Sequence, residues 1–571
     1  MGVTAMPTAA RKRRSTSARR TPPAARSTAR SAVAAALGVT ARLGARTEFR
    51  IYPSIGVARV GDCKDSFTIG PEAPGVVPTG PFRGADDGLK PQAARFRIYK
   101  VEIDANENET VTEEVVPGND VEIEWRVSLA NRKAAGLQIF DTLTRAPNPK
   151  RRNARLDRDK LVIAATGSVT GTKASGPVLA GDIEFARPGS SGTKVTDIVL
   201  ATLRTDEKGR LLVVGGPGKS GSPLDAPAES FADNDGWYDS VSDGPVSATI
   251  RFGSQAHVVI PAWVVVTVPR YAPGVYGIVT WYDQAVNMAR LTTEGRFNRP
   301  RTTSFTRDVY PILKRADNLS GVHGTAHSIG PRALSDAARI ATFTDPNRRA
   351  AVLDRLTPLG AAAPNFQELP PGGMPKLFSG ANPAPDGPVF TFLSLTNYQM
   401  AHIENWVRGD FDDDWPGSAP APTPFDDIPI ALQAWALTEA ALETCVGGAF
   451  FPGIEGTYDI ARAATYHPEP HLRREFRIDP AHPAGFLTEK MALPWQADFA
   501  DCSNHWWPSQ RPDDVTTENG RAERWDRGIL GRGRNPHLNM VASWSKLGFV
   551  VLDRTTGKFV ETERTLEAAI A

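Results

Sequence analysis

Val258-Val259-Ile260-Pro261-Ala262-Trp263-Val264-Val265-Val266-Thr267-Val268 is a long β-branched run broken by a single proline. A β-branched run of this kind reads as a strand. After a short turn, Gly274–Tyr282 reads as a returning strand. Outward from this stretch, Arg95–Ile103 and Val121–Val127 alternate apolar and polar residues, as half-buried strands do. From Thr47 to about residue 290, Gly/Pro turns separate such segments, and sheet-on-sheet packing is their natural solution. Past residue 300 the apolar spacing becomes helical, over Asp308–Ala316, Ser335–Phe343, Thr396–Arg408 and most clearly Ile428–Cys445. Pro429 falls at the start of the last, where a helix tolerates it, and Gly447-Gly448 would end it. The fold class is therefore α+β: a β-rich, sandwich-like N-terminal half packed on a helical and irregular C-terminal half that carries the site. The expected divisions are a disordered basic tail over 1–46, a β-rich domain over 47–295 and a mainly helical or irregular domain over 296–571.

Composition narrows the function. The chain is 41% hydrophobic and 23% charged, which fits a large core, and its net charge of +2 argues neither for a nucleic-acid surface nor for an acidic substrate channel. Its 47 prolines require much irregular backbone. Three cysteines (Cys63, Cys445 and Cys502) cannot form a disulfide framework for 571 residues, so a cysteine kept for reactivity is worth seeking. No stretch approaches the roughly 18–20 apolar residues that span a bilayer. The N-terminal tail contains Arg13-Arg14 and Arg19-Arg20 before a weak apolar run, Ala32–Gly38. It reads as a disordered arm in preference to a twin-arginine export signal. A cytoplasmic protein at maturation is expected, with later export as the alternative.

Several familiar motifs fail on inspection. Val213–Ser220 ends in Gly218-Lys219-Ser220, but the leading glycine of a phosphate loop is Val213 and Pro217 removes an amide donor. His323 and His327 have helical metal-pair spacing among glycines that disfavour a helix, without an evident third ligand. No nucleophile elbow or dinucleotide fingerprint is present.

Two segments remain chemically unusual. Cys445-Val446-Gly447-Gly448-Ala449-Phe450-Phe451-Pro452-Gly453-Ile454-Glu455 places a cysteine at a helix end, before glycines that admit a close backbone or ring. Met491–Phe499 leads to Cys502-Ser503-Asn504-His505-Trp506-Trp507-Pro508-Ser509-Gln510-Arg511-Pro512, with two adjacent tryptophans beside a histidine and an arginine. Together with Ile51–Gly61, Gly70-Pro71-Glu72, Lys90–Arg97, Ala130–Ala135, Tyr271-Ala272-Pro273 and Trp544–Phe549, these blocks resemble, in order, the family of lysine ε-oxidases and glycine oxidases. The resemblance spans roughly residues 47–555.

The resemblance implies a cysteine tryptophylquinone cofactor, self-derived through a thioether crosslink between Cys445 and either Trp506 or Trp507. Neighbouring side chains in extended backbone point to opposite faces, so one tryptophan would meet the cysteine. The implied activity is oxidative deamination of an amino acid or primary amine, with O2 as acceptor and release of H2O2 and ammonia. A quinone carbonyl is an electrophile for a neutral amine, and a positioned base then removes the α-proton. By position, His505 is a candidate acid/base group, Tyr271 an aromatic wall, and Arg511 and Asp498 substrate-binding groups. The family further implies a flavoprotein maturation partner and a homo-oligomer, with no metal, nucleic acid or membrane. One departure stands out. The family places an aspartate one helical turn before the cysteine, where this chain has Ala441; Glu439 and Glu443 lie about 200° round the helix from it. The alternative readings are a binding or structural protein of the same fold whose quinone never matures, and a carboxylate-based hydrolase using Glu455 and Asp498.

Overall fold

The computed structural model describes residues 45–139, 148–291, 297–322, 345–353, 356, 395–447, 454–456, 458–501, 507–529 and 535–566. The basic tail to residue 44, the helix expected over Ser335–Phe343, His323, His327, Cys502, His505 and Trp506 lie outside these residues. The chain divides into a small unit, Met1–Thr47 with Glu102–Glu109, and a large one, Glu48–Val101 with Thr110–Ala571. Within the small unit, Arg46 pairs with Glu107 at 3.0 Å and Thr47 donates to Glu102 at 2.8 Å.

The β-rich half is one thirteen-stranded sheet among the described residues. Its principal strands are β1 (Ile55–Arg59), β2 (Gln92–Ile103), β3 (Val121–Asn131), β4 (Ile163–Thr170), β5 (Ser175–Phe185), β6 (Thr193–Thr205), β7 (Leu211–Gly215), β8 (Ser242–Phe252) and β9 (Ala262–Thr267). They lie side by side in the order β4-β3-β8-β9-β1-β2-β7-β6-β5. The sheet curls nearly into a barrel: its two ends meet, with Ala164 O only 2.7 Å from where a Cβ on Gly181 would stand. Curling leaves few open edges and gives the sheet one enclosed face.

The run that opened the sequence reading becomes the middle of this sheet. Every residue of β9 and of β1 is buried, so both strands are covered on both sides. Pro261 precedes β9, where its missing N–H costs no ladder bond. The two strands run parallel, with Trp263 opposite Ile55 and Thr267 opposite Arg59. Alternation then sorts their side chains. Ala58, Val264 and Val266 enter the main core, whereas Ile55, Val57, Trp263 and Val265 form a second apolar cluster with Trp281, Ala441, Leu442 and Cys445. Arg59 and Thr267 continue this second face, and it is the face on which the C-terminal half lies.

That half is helical and irregular. Its helices include α1 (Trp281–Ala289), α2 (Tyr310–Asn318), α3 (Asn397–Arg408), α4 (Ile430–Glu443), α5 (Trp495–Asp501) and α6 (Pro536–Ser543). Thr396 caps α3 with Gln399 in a reciprocal capping box, and Gly409 ends it at φ 83°. The strand expected over Gly274–Tyr282 is absent. Thr280 instead forms a capping box with Asp283 and starts α1, so residues 274–280 run as irregular backbone into a helix. A short β-branched run cannot distinguish the two outcomes; the cap decides it.

Candidate active site around Cys445

Helix α4 brings Cys445 to the sheet. Ala434 and Leu437 pack against Tyr52 and Tyr99, while Ala441 and Leu442 pack against Ile55 and Val57. Thr438 accepts from Ser54 N at 3.1 Å, tying the middle of the helix to the chain just before β1. The small side chains let the helix lie close to the strands. The helix ends at Glu443, with Thr444 as its C-cap, before the glycines expected to stop it. Gly447 serves a different purpose. Gly447 N donates to Val279 O at 2.9 Å and Trp281 N donates to Cys445 O at 3.0 Å, strapping the segment to the start of α1. A Cβ on Gly447 would lie 1.9 Å from Thr280 O, so glycine is required for the strap to close.

Cys445 is a free, buried thiol, 1% exposed. Its Sγ lies 3.7 Å from Ala441 O, 3.9 Å from Thr444 Oγ1 and 3.8 Å from Arg59 Nη2. Arg59 Nη1 also donates to Glu455 Oε1 at 3.0 Å and to Val268 O at 2.9 Å, and Nη2 to Thr444 O at 3.2 Å. The guanidinium therefore joins the sheet, the end of α4 and the segment beyond it. Thr267, the register partner of Arg59, donates its hydroxyl to Ile454 O, next to Glu455. Burial, and after it the nearby Glu455 carboxylate, push the Cys445 thiol up to about 12 against the pull of Arg59. Glu455 is raised as well, chiefly by burial, with Arg59 opposing.

Arg270 completes the charged group. It lies just past β9 and is felt by Cys445 and Glu455. Burial pulls its guanidinium down to about 10. A cavity of about 650 Å³ opens against Arg59, Arg270 and Thr444.

Ala441 offers the thiol its carbonyl and nothing else. The flanking acids face elsewhere: Glu443 takes Arg315 Nη2 at 3.4 Å and Gly75 N at 3.3 Å, and Arg315 in turn pairs with Asp283 at 2.8 Å. Glu439 belongs to the same acidic group.

The other predicted positions lie on separate segments: Trp507 and Arg511 on one loop, Asp498 on α5 and Tyr271 just past β9. Trp507 is 1% exposed and sits in the main core near Phe499, with ring centroids 6.5 Å apart. Arg511 is fully buried: Nε donates to Phe499 O, Nη1 to Pro512 O and Nη2 to Asp526 Oδ2 at 2.5 Å. Its donors are turned to its own loop. Tyr271 packs against Trp525 and Phe549, gives its hydroxyl to Trp544 O, and its N–H reaches Gln510 O at 2.9 Å. Asp498 is buried on α5, close enough to act on Lys133, which bonds to Asp239 at 2.7 Å.

Sequence reading placed Arg59 inside a matching block but gave it no role, gave Glu455 a hydrolase role only, and passed over Arg270. The signal available was alternation: Ile55, Val57 and Arg59 share one face of a strand, so a lone arginine in an otherwise apolar strand had to meet a buried partner.

Comparison with known proteins agrees along the chain. The family model for the L-lysine ε-oxidase N-terminal region matches residues 52–266, and the model for the L-lysine ε-oxidase C-terminal domain matches residues 376–519. The L-lysine 6-oxidase of Marinomonas mediterranea is 25% identical, over 90% of this chain and 89% of that protein. Crystal structures of the L-Lys ε-oxidase from the same organism, one of them its Schiff base intermediate with L-Lys, superpose with a TM-score of 0.68 at 22% identity. They cover 91% of this chain and 95% of theirs.

Proposed function

This chain belongs to the L-lysine ε-oxidase family and is an amino-acid oxidase, and from that premise we propose that it oxidatively deaminates an amino acid or primary amine with O2 as acceptor. The amine, O2 and water become a carbonyl product, ammonia and hydrogen peroxide. The observation that carries this reading is Cys445: a reduced thiol, shut from water, held 3.8 Å from the Arg59 guanidinium, with Arg270 near enough to act on it, where the sheet meets the C-terminal half.

The family implies cysteine tryptophylquinone, for which Cys445 would give the sulfur and Trp506 or Trp507 the ring. The residues fit: the thiol is free, and Arg59 and Arg270 favour negative charge beside it. Once formed, the group supplies an electrophilic ortho-quinone able to take two electrons from an amine. The chain's own residues do the rest. Glu455 takes the proton from Cys445 Sγ, and Arg59 holds both groups by one guanidinium. The Gly447–Val279 and Trp281–Cys445 bonds hold the segment after Cys445 against the start of α1. His505, beside the tryptophan pair, is the acid/base group assigned to the substrate, while Tyr271 and Arg511 steady the loop that carries the pair. A flavoprotein partner matures the protein, which acts as a homo-oligomer in this proposal.

Intact mass tests the reading. Protein made with its partner should gain two oxygens and lose four hydrogens, and peptide mapping should join the Cys445 peptide to the Trp506-Trp507 peptide. An unmodified mass would overturn it. One observation favours a second reading, a protein of this fold that never matures: Ala441 lies in an apolar cluster where the family places an acid. Peroxide release from an amino-acid panel, measured on protein of established mass, separates the two.

A further inference from the structure

We propose that Arg270, with the cavity before it, is the substrate's carboxylate site, and that the substrate is an α-amino acid with an apolar side chain, oxidised at its α-carbon. This rests on the oxidase reading above and names the substrate class for it.

Arg270 is a buried cation without a counter-charge in contact. It is 8% exposed; Nη2 donates to Val275 O at 2.6 Å, and its guanidinium lies 4.7 Å from the centre of the Tyr276 ring. Among the described residues no carboxylate forms an ion pair with it. Glu455 and Glu443 are near enough to be felt, but they are bonded to Arg59 and Arg315 respectively. Burying a cation without a partner is costly, so a site that keeps one at the floor of a cavity is built for an anion from outside. The cavity, about 650 Å³, is in the size range of small-molecule sites.

Its walls select the rest of the molecule. Val76, Phe82, Pro422 and Phe549 make them largely apolar. Glu72, the acid in the lining, is already held by Arg95 and by Arg97, the latter at 2.8 Å. An apolar side chain gains from these walls, whereas a second ammonium group would be desolvated without a free acid to meet it.

The position fixes which carbon reacts. Arg59 and Thr444 line the same cavity and lie 3.8 and 3.9 Å from Cys445 Sγ. Arg270 lines this cavity too and is near enough to act on Cys445, so a carboxylate held by it stands toward the thiol end and brings the amine of the adjoining carbon there. An amine at the far end of a lysine side chain would point away. Carboxylate recognition, expected of Arg511, moves to Arg270, because the donors of Arg511 serve its own loop.

Calorimetric binding to the mature protein tests this with 4-methylpentanoate, the leucine skeleton without its amine, and uncharged 4-methylpentanamide. The expected result is carboxylate binding that weakens about ten-fold or more in Arg270→Met and much less in Arg270→Lys, with amide binding unchanged. Equal carboxylate affinity in wild type and folded Arg270→Met would overturn the site. L-leucine should yield peroxide and a 2-oxo acid; turnover of L-lysine alone, at its side-chain amine, would overturn the substrate class and leave the oxidase standing. Arg270-dependent carboxylate binding without peroxide from any amino acid would support the pocket and sink the oxidase reading beneath it.

Discussion

Arg59 Nη1 donates to Glu455 Oε1 at 3.0 Å, with the two side chains 5% and 1% exposed. The pair links a strand in the middle of the sheet to a residue ten positions beyond Cys445, and it fixes the charge around the thiol. A buried pair of this kind contributes little net stability compared with apolar residues of the same shape, but breaking it leaves an uncompensated charge.

Arg59→Met should therefore destabilise the fold by about 3–5 kcal/mol, because Glu455 is left alone in an apolar setting. Arg59→Met with Glu455→Met should recover much of that loss. Urea unfolding of the two single variants and the double variant measures the coupling. Strictly additive effects would mean that the pair is incidental to the fold.

Gly447→Ala should cost about 2–3 kcal/mol, since the new Cβ would stand 1.9 Å from Thr280 O and must push the strap off the start of α1. Gly118→Ala is the matched control: nothing lies within 4 Å of its Cβ position, and an effect within about 0.5 kcal/mol is expected. Comparable midpoints for the two variants in denaturant would show that the close approach carries no stability.

Buried acids give the fold a pH dependence of definite sign. Burial, then the neighbouring Glu443, pushes Glu439 up to about 8, with Arg315 opposing and Asp283 adding to the rise. Burial lifts Asp243 to about 6, and Glu443 and Glu455 are raised too. A carboxyl raised in the fold holds its proton more tightly when folded than when unfolded. Its contribution is full below the ordinary carboxylate range and is lost as pH rises through the folded value. Melting temperature should thus decline as pH rises toward about 8. Glu439→Gln should flatten the decline from the ordinary carboxylate range up to about pH 8, most distinctly above about pH 6, where Asp243 has already lost its proton. Parallel curves for the two proteins would remove Glu439 from the account.

The sequence carried the sheet better than the site. Val258–Val268 reads as a strand from its β-branched content, and β9 lies within that run, buried on both faces. Thr396–Arg408 was legible from its helical spacing of apolar residues, and in the structure the Thr396–Gln399 capping box and Gly409 set its two ends. Gly274–Tyr282 misled because β-branched content says nothing of the Thr280–Asp283 cap. The charged group around Cys445 was harder still. Arg59 and Glu455 are 396 positions apart, and only the packing of the C-terminal half on this face of the sheet brings them together. Arg511 shows the converse, since closeness in sequence to Trp506-Trp507 suggested a substrate role while its bonds run to Phe499, Pro512 and Asp526.

Thiol reactivity offers a direct reading of the Glu455–Cys445 relationship in protein made without the maturation partner. With the thiol pushed up to about 12, chiefly by burial and next by Glu455, almost none is thiolate near neutral pH, and iodoacetamide should leave Cys445 unmodified in the folded protein. Removing the carboxylate charge in Glu455→Gln lowers the thiol's value, since a like charge beside the thiolate is gone. Removing the cation in Arg59→Met raises it. The alkylation rate of the Cys445 peptide, followed by mass spectrometry across pH, should therefore shift to lower pH in the first variant and to higher pH in the second. Cys63, also free and buried, provides the internal reference in each sample. If Glu455→Gln leaves the Cys445 profile where it was, the carboxylate does not act on the sulfur, and its assignment as the acceptor of the thiol proton fails.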